Sequence, residues 1–227
     1  MKKYFYIIIF SAIIFSGCKK DEEITIDQGY DYFPLKAGHT IIFDVDSIVY
    51  DDFFIPVKID TFKYQVKEIV ESSFIDGQGR EAWRLERYIK TDTTAWEIRQ
   101  VWTAIRTATT AEKVEENLRY IKIAFPVKEN KTWDGNSYNN LASQEYRIEE
   151  LNESAQIGAL SFEETLQVLQ GDDENLIEKF YAEERYARNV GLIYKEFVDV
   201  KKEIVGPGQQ QIKSGLIFKM RVNSYSL

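Results

Sequence analysis

Apolar and polar residues alternate along most of the chain, and the alternation predicts strands. Ile41, Phe43, Val45 and Val49 fall on one face of a run over 41–50, at the period of two that marks a half-buried strand. A second long strand is predicted over 58–74, with Phe62, Tyr64, Val66 and Val70 on one side and Lys63, Gln65, Lys67 and Glu71 on the other. Asp76-Gly77-Gln78-Gly79 reads as a hairpin turn, because glycine supplies the positive φ that such turns need. It leads into 80–90, where Trp83, Leu85 and Ile89 share a face. Thr91 to Thr94 turns the chain into 95–107, which carries Trp96, Ile98 and Trp102. Further strands are predicted over 114–125, 143–151, 160–170, 190–198 and 216–225, with loops at 51–57 and 134–142 and a break at Gly206 to Gln211. Residues 174–186 fit neither period cleanly, since Leu176, Phe180 and Ala187 would also line a helix. Short turns between successive strands imply a mainly β fold with few helices. The expected architecture is an antiparallel meander forming a strongly curved sheet, as an open or half barrel or a barrel.

One pattern occurs twice. Phe33-Pro34-Leu35-Lys36-Ala37-Gly38-His39-Thr40 stands before the first strand, and Phe125-Pro126-Val127-Lys128-Glu129-Asn130-Lys131-Thr132-Trp133 stands midway. Proline fixes φ near −65°, and Gly38 or Asn130 tolerates a left-handed backbone, so each copy is expected to turn the chain into a new strand. Either the chain contains an internal duplication or it reaches the same local solution twice.

The N-terminus breaks the alternation. Lys2 and Lys3 are followed by about 12 apolar residues from Tyr4 to Phe15, too few for a bilayer span of roughly 20 but of the length of a signal-peptide core. Ser16-Gly17 before Cys18 resembles the lipobox of bacterial lipoproteins, with Phe15 in place of the usual leucine. The resemblance implies that 1–17 is a signal peptide, that Cys18 is lipidated, that 18–32 is a flexible tether and that 33–227 is a single β-rich domain. Lys19-Lys20-Asp21-Glu22-Glu23 is similar to the lysine-plus-acidic signal that routes some Bacteroidota lipoproteins to the outer face of the outer membrane. Two or more acyl chains hold a protein firmly, so the expected location is the outer membrane, lipid-anchored and exposed at the cell surface. Cys18 is the chain's single cysteine, and lipidation withdraws it from redox, metal and nucleophilic roles.

Composition narrows the function. The formal charge is −8 and becomes −10 when Lys2 and Lys3 leave with the signal peptide, which argues against nucleic acid as a partner. A chain that is 44% hydrophobic and 14% aromatic buries a sizeable core without disulfides. The Phe33-to-Gly38 opening, the Phe125-to-Trp133 stretch and Tyr186-Ala187-Arg188-Asn189-Val190-Gly191-Leu192-Ile193-Tyr194 resemble marks of uncharacterised Bacteroidota lipoproteins, although Ile41 and Phe43 replace the Trp and Tyr of their opening. That resemblance implies a β-rich envelope domain and no known activity.

Candidate chemistry is sparse. His39, the single histidine, is expected to be a surface turn residue. Asp44 and Asp46, with Asp51 and Asp52, offer oxygens for Ca²⁺ but lack EF-hand spacing and are read as a solvated acidic face. Glu163 with Glu164, or Glu183 with Glu184, form adjacent carboxylate pairs of the kind glycosidases use at longer range, in a chain too rich in glutamate for that to be diagnostic. No catalytic residue, metal site or cofactor is assigned. Trp83, Trp96 and Trp102 are the candidate ligand-facing aromatics, with core packing as the plainer reading. Asp46-Ser47-Ile48 and Asp92-Thr93-Thr94 resemble Bacteroidota O-glycosylation acceptors. The expected role is a non-catalytic binding or interaction module for a protein, glycan or apolar ligand. The alternatives are a carrier of lipid or another apolar ligand in an open barrel, and a surface glycan hydrolase.

Overall fold

Among the described residues, twelve antiparallel strands follow one another in sequence around one curved sheet. They are β1 (Thr40–Asp51), β2 (Lys58–Ile75), β3 (Glu81–Lys90), β4 (Glu97–Arg106), β5 (Thr110–Glu115) and β6 (Leu118–Ala124), then β7 (Thr132–Asp134), β8 (Glu145–Ile157), β9 (Leu160–Glu174), β10 (Glu178–Ala187), β11 (Gly191–Gly206) and β12 (Gln209–Ser226). Each strand pairs with its sequence neighbours except at β6 and β7, and β1 pairs with β12, so the sheet runs from β6 round to β7 and is nearly closed into a barrel. The computed structural model describes residues 27–91 and 95–227. The signal peptide, Cys18, most of the tether and Asp92-Thr93-Thr94 lie outside the described residues. Among the described residues the one helical element is a 3₁₀ turn, Tyr30–Tyr32.

Three strand boundaries differ from the periodicity reading. The strand expected over 114–125 is two strands, joined at Glu116 (φ 48°) and Asn117 (φ 65°). Both residues are left-handed, as a two-residue hairpin turn requires, but Glu-Asn lacks the glycine that announces such turns. The stretch 174–186 holds no helix: Glu174 ends β9, 175–177 turn, and β10 follows, with Gln170 of β9 as the extra residue of a bulge opposite Ala182 and Glu183. The break at 206–211 is the tip of the β11–β12 hairpin.

The repeated motif makes the same bonds twice. In the first copy Gly38 (φ 87°) donates its N–H to the Val70 carbonyl at 2.8 Å and Val70 donates back to His39 at 2.9 Å. In the second, Asn130 (φ 58°) donates to Ile148 at 2.8 Å and Ile148 donates back to Lys131 at 3.0 Å. Phe33 and Phe125 are both buried in one core cluster. Each copy therefore locks the start of a half-barrel, β1–β6 or β7–β12, onto the second strand of that half.

Residues 27–39 cross one end of the barrel. Tyr32 is fully buried there, so the last residues of the segment that the sequence assigns to a tether pack against the barrel. Arg188, in the β10–β11 turn, holds the segment in place. It donates to both Asp31 oxygens at 2.8 and 2.9 Å, pairs with Asp27, and places its guanidinium 4.6 Å from the Tyr32 ring centroid. Arg106, in the corresponding β4–β5 turn, donates to the Tyr30 and Phe33 carbonyls at 3.0 and 3.1 Å.

Candidate functional site

Strand alternation that fills a barrel with apolar side chains here also carries charge inward. Glu68 lies between Val66 and Val70 on the inner face of β2, and Arg87 lies two positions after Leu85 on β3. Lys113 and Glu115 come from β5, Glu184 from β10 and Lys195 from β11. Lys122 is the extra residue of a bulge, since Ala111 and Glu112 oppose Ile123 and Ile121. The bulge re-aims its side chain into the interior.

These groups form two clusters. In the deeper one, Lys122 lies 3.0 Å from Glu115 and 3.1 Å from Glu184, Lys195 donates to Glu184 at 2.9 Å, and the Tyr186 hydroxyl donates to Glu184 at 2.6 Å. Burial opposes the charge on Glu115, but Lys122, Lys195 and Lys113 outweigh it and hold its pKa down to about 2. Glu184 is likewise held well below the usual carboxylate range by Lys122 and Lys195 against its burial. Lys122 is pushed up by the two carboxylates despite complete burial. All three groups stay charged at neutral pH, and none is poised to exchange a proton there.

In the second cluster Lys113 donates to both Glu68 oxygens at 2.9 and 2.8 Å, while Arg87 Nε stands 3.4 Å from Glu68 without a hydrogen bond. The Trp102 ring lies 3.8 Å from the Arg87 guanidinium carbon and 5.0 Å from Lys113 Nζ. Between the clusters and an apolar wall that includes Phe33, Ile41, Leu85 and Met220 is a cavity of about 150 Å³.

The candidates from sequence are dispersed. Trp102 lines this cavity, Trp83 packs against the larger core cluster, and Trp96 lies outside the barrel strands, with Lys67 and Lys90 over its ring. His39 is buried, not a surface turn residue. Its Nε2 faces the Val190 carbonyl at 3.0 Å and so carries the donating proton, and burial lowers its pKa. Asp46 pairs with Lys63 and Arg221, and Asp44 accepts from Gln65 and Asn223, so both acidic residues are engaged within the sheet's outer face. Among the described residues no group of three potential ligands could hold a metal ion. Glu183 and Glu184 are adjacent on a strand and so face opposite sides. Glu184 joins the interior cluster and Glu183 accepts from Gln167. Glu164 pairs with Arg188 and Glu163 is exposed. Ser47 is buried on the inner side of β1, which removes it as a glycan acceptor. The sequence reading missed the interior charges, although Glu68 was visible as a carboxylate on the apolar phase of its strand.

The other end of the barrel differs in kind. The β1–β2, β9–β10 and β11–β12 turns all lie there and carry exposed apolar side chains, with Ile55 99% and Phe53 87% exposed, together with Leu176, Ile177, Ile204 and Val205. A backbone bond from Lys202 to Ile177 ties two of these hairpins together.

No protein-family model and no curated protein sequence matches the chain. Two solved structures are similar to it. One, described provisionally as an exported protein with a YmcC-like fold from Bacteroides fragilis, is 12% identical, with 86% of this chain and 98% of that chain covered and a TM-score of 0.46. The other, described provisionally as a lipoprotein from Parabacteroides distasonis, is 9% identical with the same coverage and a TM-score of 0.41. Both come from the group of bacteria whose uncharacterised lipoproteins the chain's motifs resemble, and the function proposed below rests on neither.

Proposed function

We propose that this chain is a lipid-anchored, non-catalytic binding module of the outer-membrane surface. The observation that carries the reading is the opposition of the two barrel ends. The nine residues from Cys18 to Asp27 reach at most about 30 Å, and Asp27 is fastened by Arg188 to the plugged end. That end is thereby kept near the membrane. β12 alone is 18 residues long, roughly 60 Å of strand, so the apolar hairpin tips face away from the lipid toward a partner. Exposed apolar residues clustered at one place mark interaction sites. The carrier reading is less well supported, because the interior is crowded and its cavity is walled on one side by ionised groups that an acyl chain would leave unsolvated.

Two measurements test this. Cys18→Ala should move the protein from the membrane to the soluble fraction, and continued membrane retention would refute the anchor. Protease added to intact cells should cleave the wild-type protein, while full protection that ends on cell lysis would place it on the periplasmic side and defeat the surface reading.

A further inference from the structure

The charges lining the interior cavity do not balance. Arg87, Lys113, Lys122 and Lys195 face Glu68, Glu115 and Glu184. The deeper cluster is neutral, with Lys122 and Lys195 against Glu115 and Glu184. The surplus positive charge therefore sits with Arg87 and Lys113, which share the single carboxylate of Glu68. Lys113 takes both Glu68 oxygens; Arg87 donates from Nη1 to Gln100 at 2.7 Å, and its Nε, 3.4 Å from Glu68, is buried without a hydrogen bond. A buried donor without a hydrogen bond is costly, so the Arg87 charge is only partly satisfied within the fold.

The approach to the cavity has the same sign. An adjoining cleft shares Arg87 and Phe218 with it, and its lining adds Arg99 and Gln100 but no carboxylate. Arg99 is the extra residue of a bulge opposite Arg87 and Tyr88. Glu116, at the β5–β6 turn, accepts from Gln100 and Trp102 and lies outside both linings. A basic mouth on a chain of net charge −8 is a local feature that attracts anions. Size gives the second constraint: the cavity is about 150 Å³, a volume that in a wholly apolar site takes a molecule as large as benzene. The Trp102 face is already covered by Arg87 and Lys113, so a ring would lie against Leu85, Val70 and Phe33 instead.

We propose that the barrel interior binds a small organic carboxylate of single-ring size, with the carboxylate held by the surplus positive charge of Arg87 and Lys113 and the ring against the apolar wall. The site does not depend on where the chain is anchored or on what the hairpin tips contact.

Benzoate is the probe, titrated by calorimetry into the full chain purified in a neutral detergent, with benzyl alcohol and inorganic phosphate as comparisons. Benzoate should bind at least tenfold more tightly than either, and Arg87→Gln should lose at least tenfold while Phe53→Ser changes nothing. A proton–nitrogen spectrum gives a readout without any change to the site. The Trp102 indole signal, assigned with Trp102→Phe, should shift on adding benzoate. Equal binding of benzyl alcohol would reduce the site to an apolar void, and equal binding of phosphate would reduce it to a charged mouth. Either result, or the absence of both heat and the Trp102 shift at about 10 mM benzoate, more than a decade above tight millimolar-range binding, would overturn the proposal.

Discussion

The β1–β12 seam and the β6–β7 seam occupy equivalent places between the two half-barrels, and they close in different ways. Both follow from the same Phe-Pro turn. After Gly38 the chain continues as a 12-residue strand that pairs along its length with β2 and with β12. After Asn130 it makes a strand of three residues and then leaves the sheet at Gly135. The second seam is held by the Ile121 N–H donating to Gly135 at 3.0 Å and by Trp133 Nε1 donating to the Ile121 carbonyl at 2.9 Å. A Cβ at Gly135 would fall 2.4 Å from the Tyr146 ring, so the chain leaves the sheet at a point where only glycine fits. A turn with the same backbone bonds thus fixes where each half-barrel begins, and the residues after it decide whether a seam forms.

What the short seam lacks in backbone pairing, the interior ion cluster supplies, since Lys122 on β6 reaches Glu184 on β10. Lys122→Met should therefore have the largest effect, a loss of about 3–5 kcal/mol in chemical denaturation at neutral pH, because it strands buried carboxylates. The same cluster sets an acid limit. Glu115 and Glu184 have folded-state pKa values below the unfolded ones, so their contribution is complete above about 4.5 and is lost as pH falls toward about 2. Wild-type stability should drop across that window, and Lys122→Met should flatten the drop. A wild type indifferent to pH between these limits would show that the cluster does not couple the halves.

The next effect is smaller and confined to one seam. Trp133→Phe removes one hydrogen bond and should cost about 1 kcal/mol. Hydrogen exchange at the Ile121 amide should quicken while amides of β1 paired with β12 keep their protection. Equal acceleration at both seams would erase the distinction. The smallest effect compares the two turns directly. Gly38→Ala meets no atom within 4 Å and should cost only the left-handed backbone penalty, about 1–2 kcal/mol. Asn130→Gly should be neutral to within about 0.5 kcal/mol, as read by thermal unfolding.

The meander and its curvature were legible because Ile41, Phe43, Val45 and Val66 keep strict alternation, which a sheet with one buried face imposes. The duplicated turn was also visible, and the structure adds that both copies make matching bonds to the second strand of their half. Legibility failed where the backbone departs from the ideal ladder. The turn at Glu116-Asn117 uses positive φ without glycine, and the bulges at Lys122 on β6 and Gln170 on β9 shift the phase of the side chains that follow them. The bulge at Lys122 aims that side chain inward, so part of the candidate site was hidden by a feature that builds it. His39 was misread for a related reason. Its backbone does serve a turn, but the side chain folds inward onto a carbonyl 151 positions away, a contact that no local pattern carries.

The strap of residues 27–39 also determines how the molecule bears a mechanical load. Tension from the N-terminal side meets the Arg188 contacts to Asp27 and Asp31 first, and then β1, whose two ladders run along the direction of pull. Force applied in this way shears many hydrogen bonds at once instead of unzipping them one by one, so the barrel should hold its shape under load.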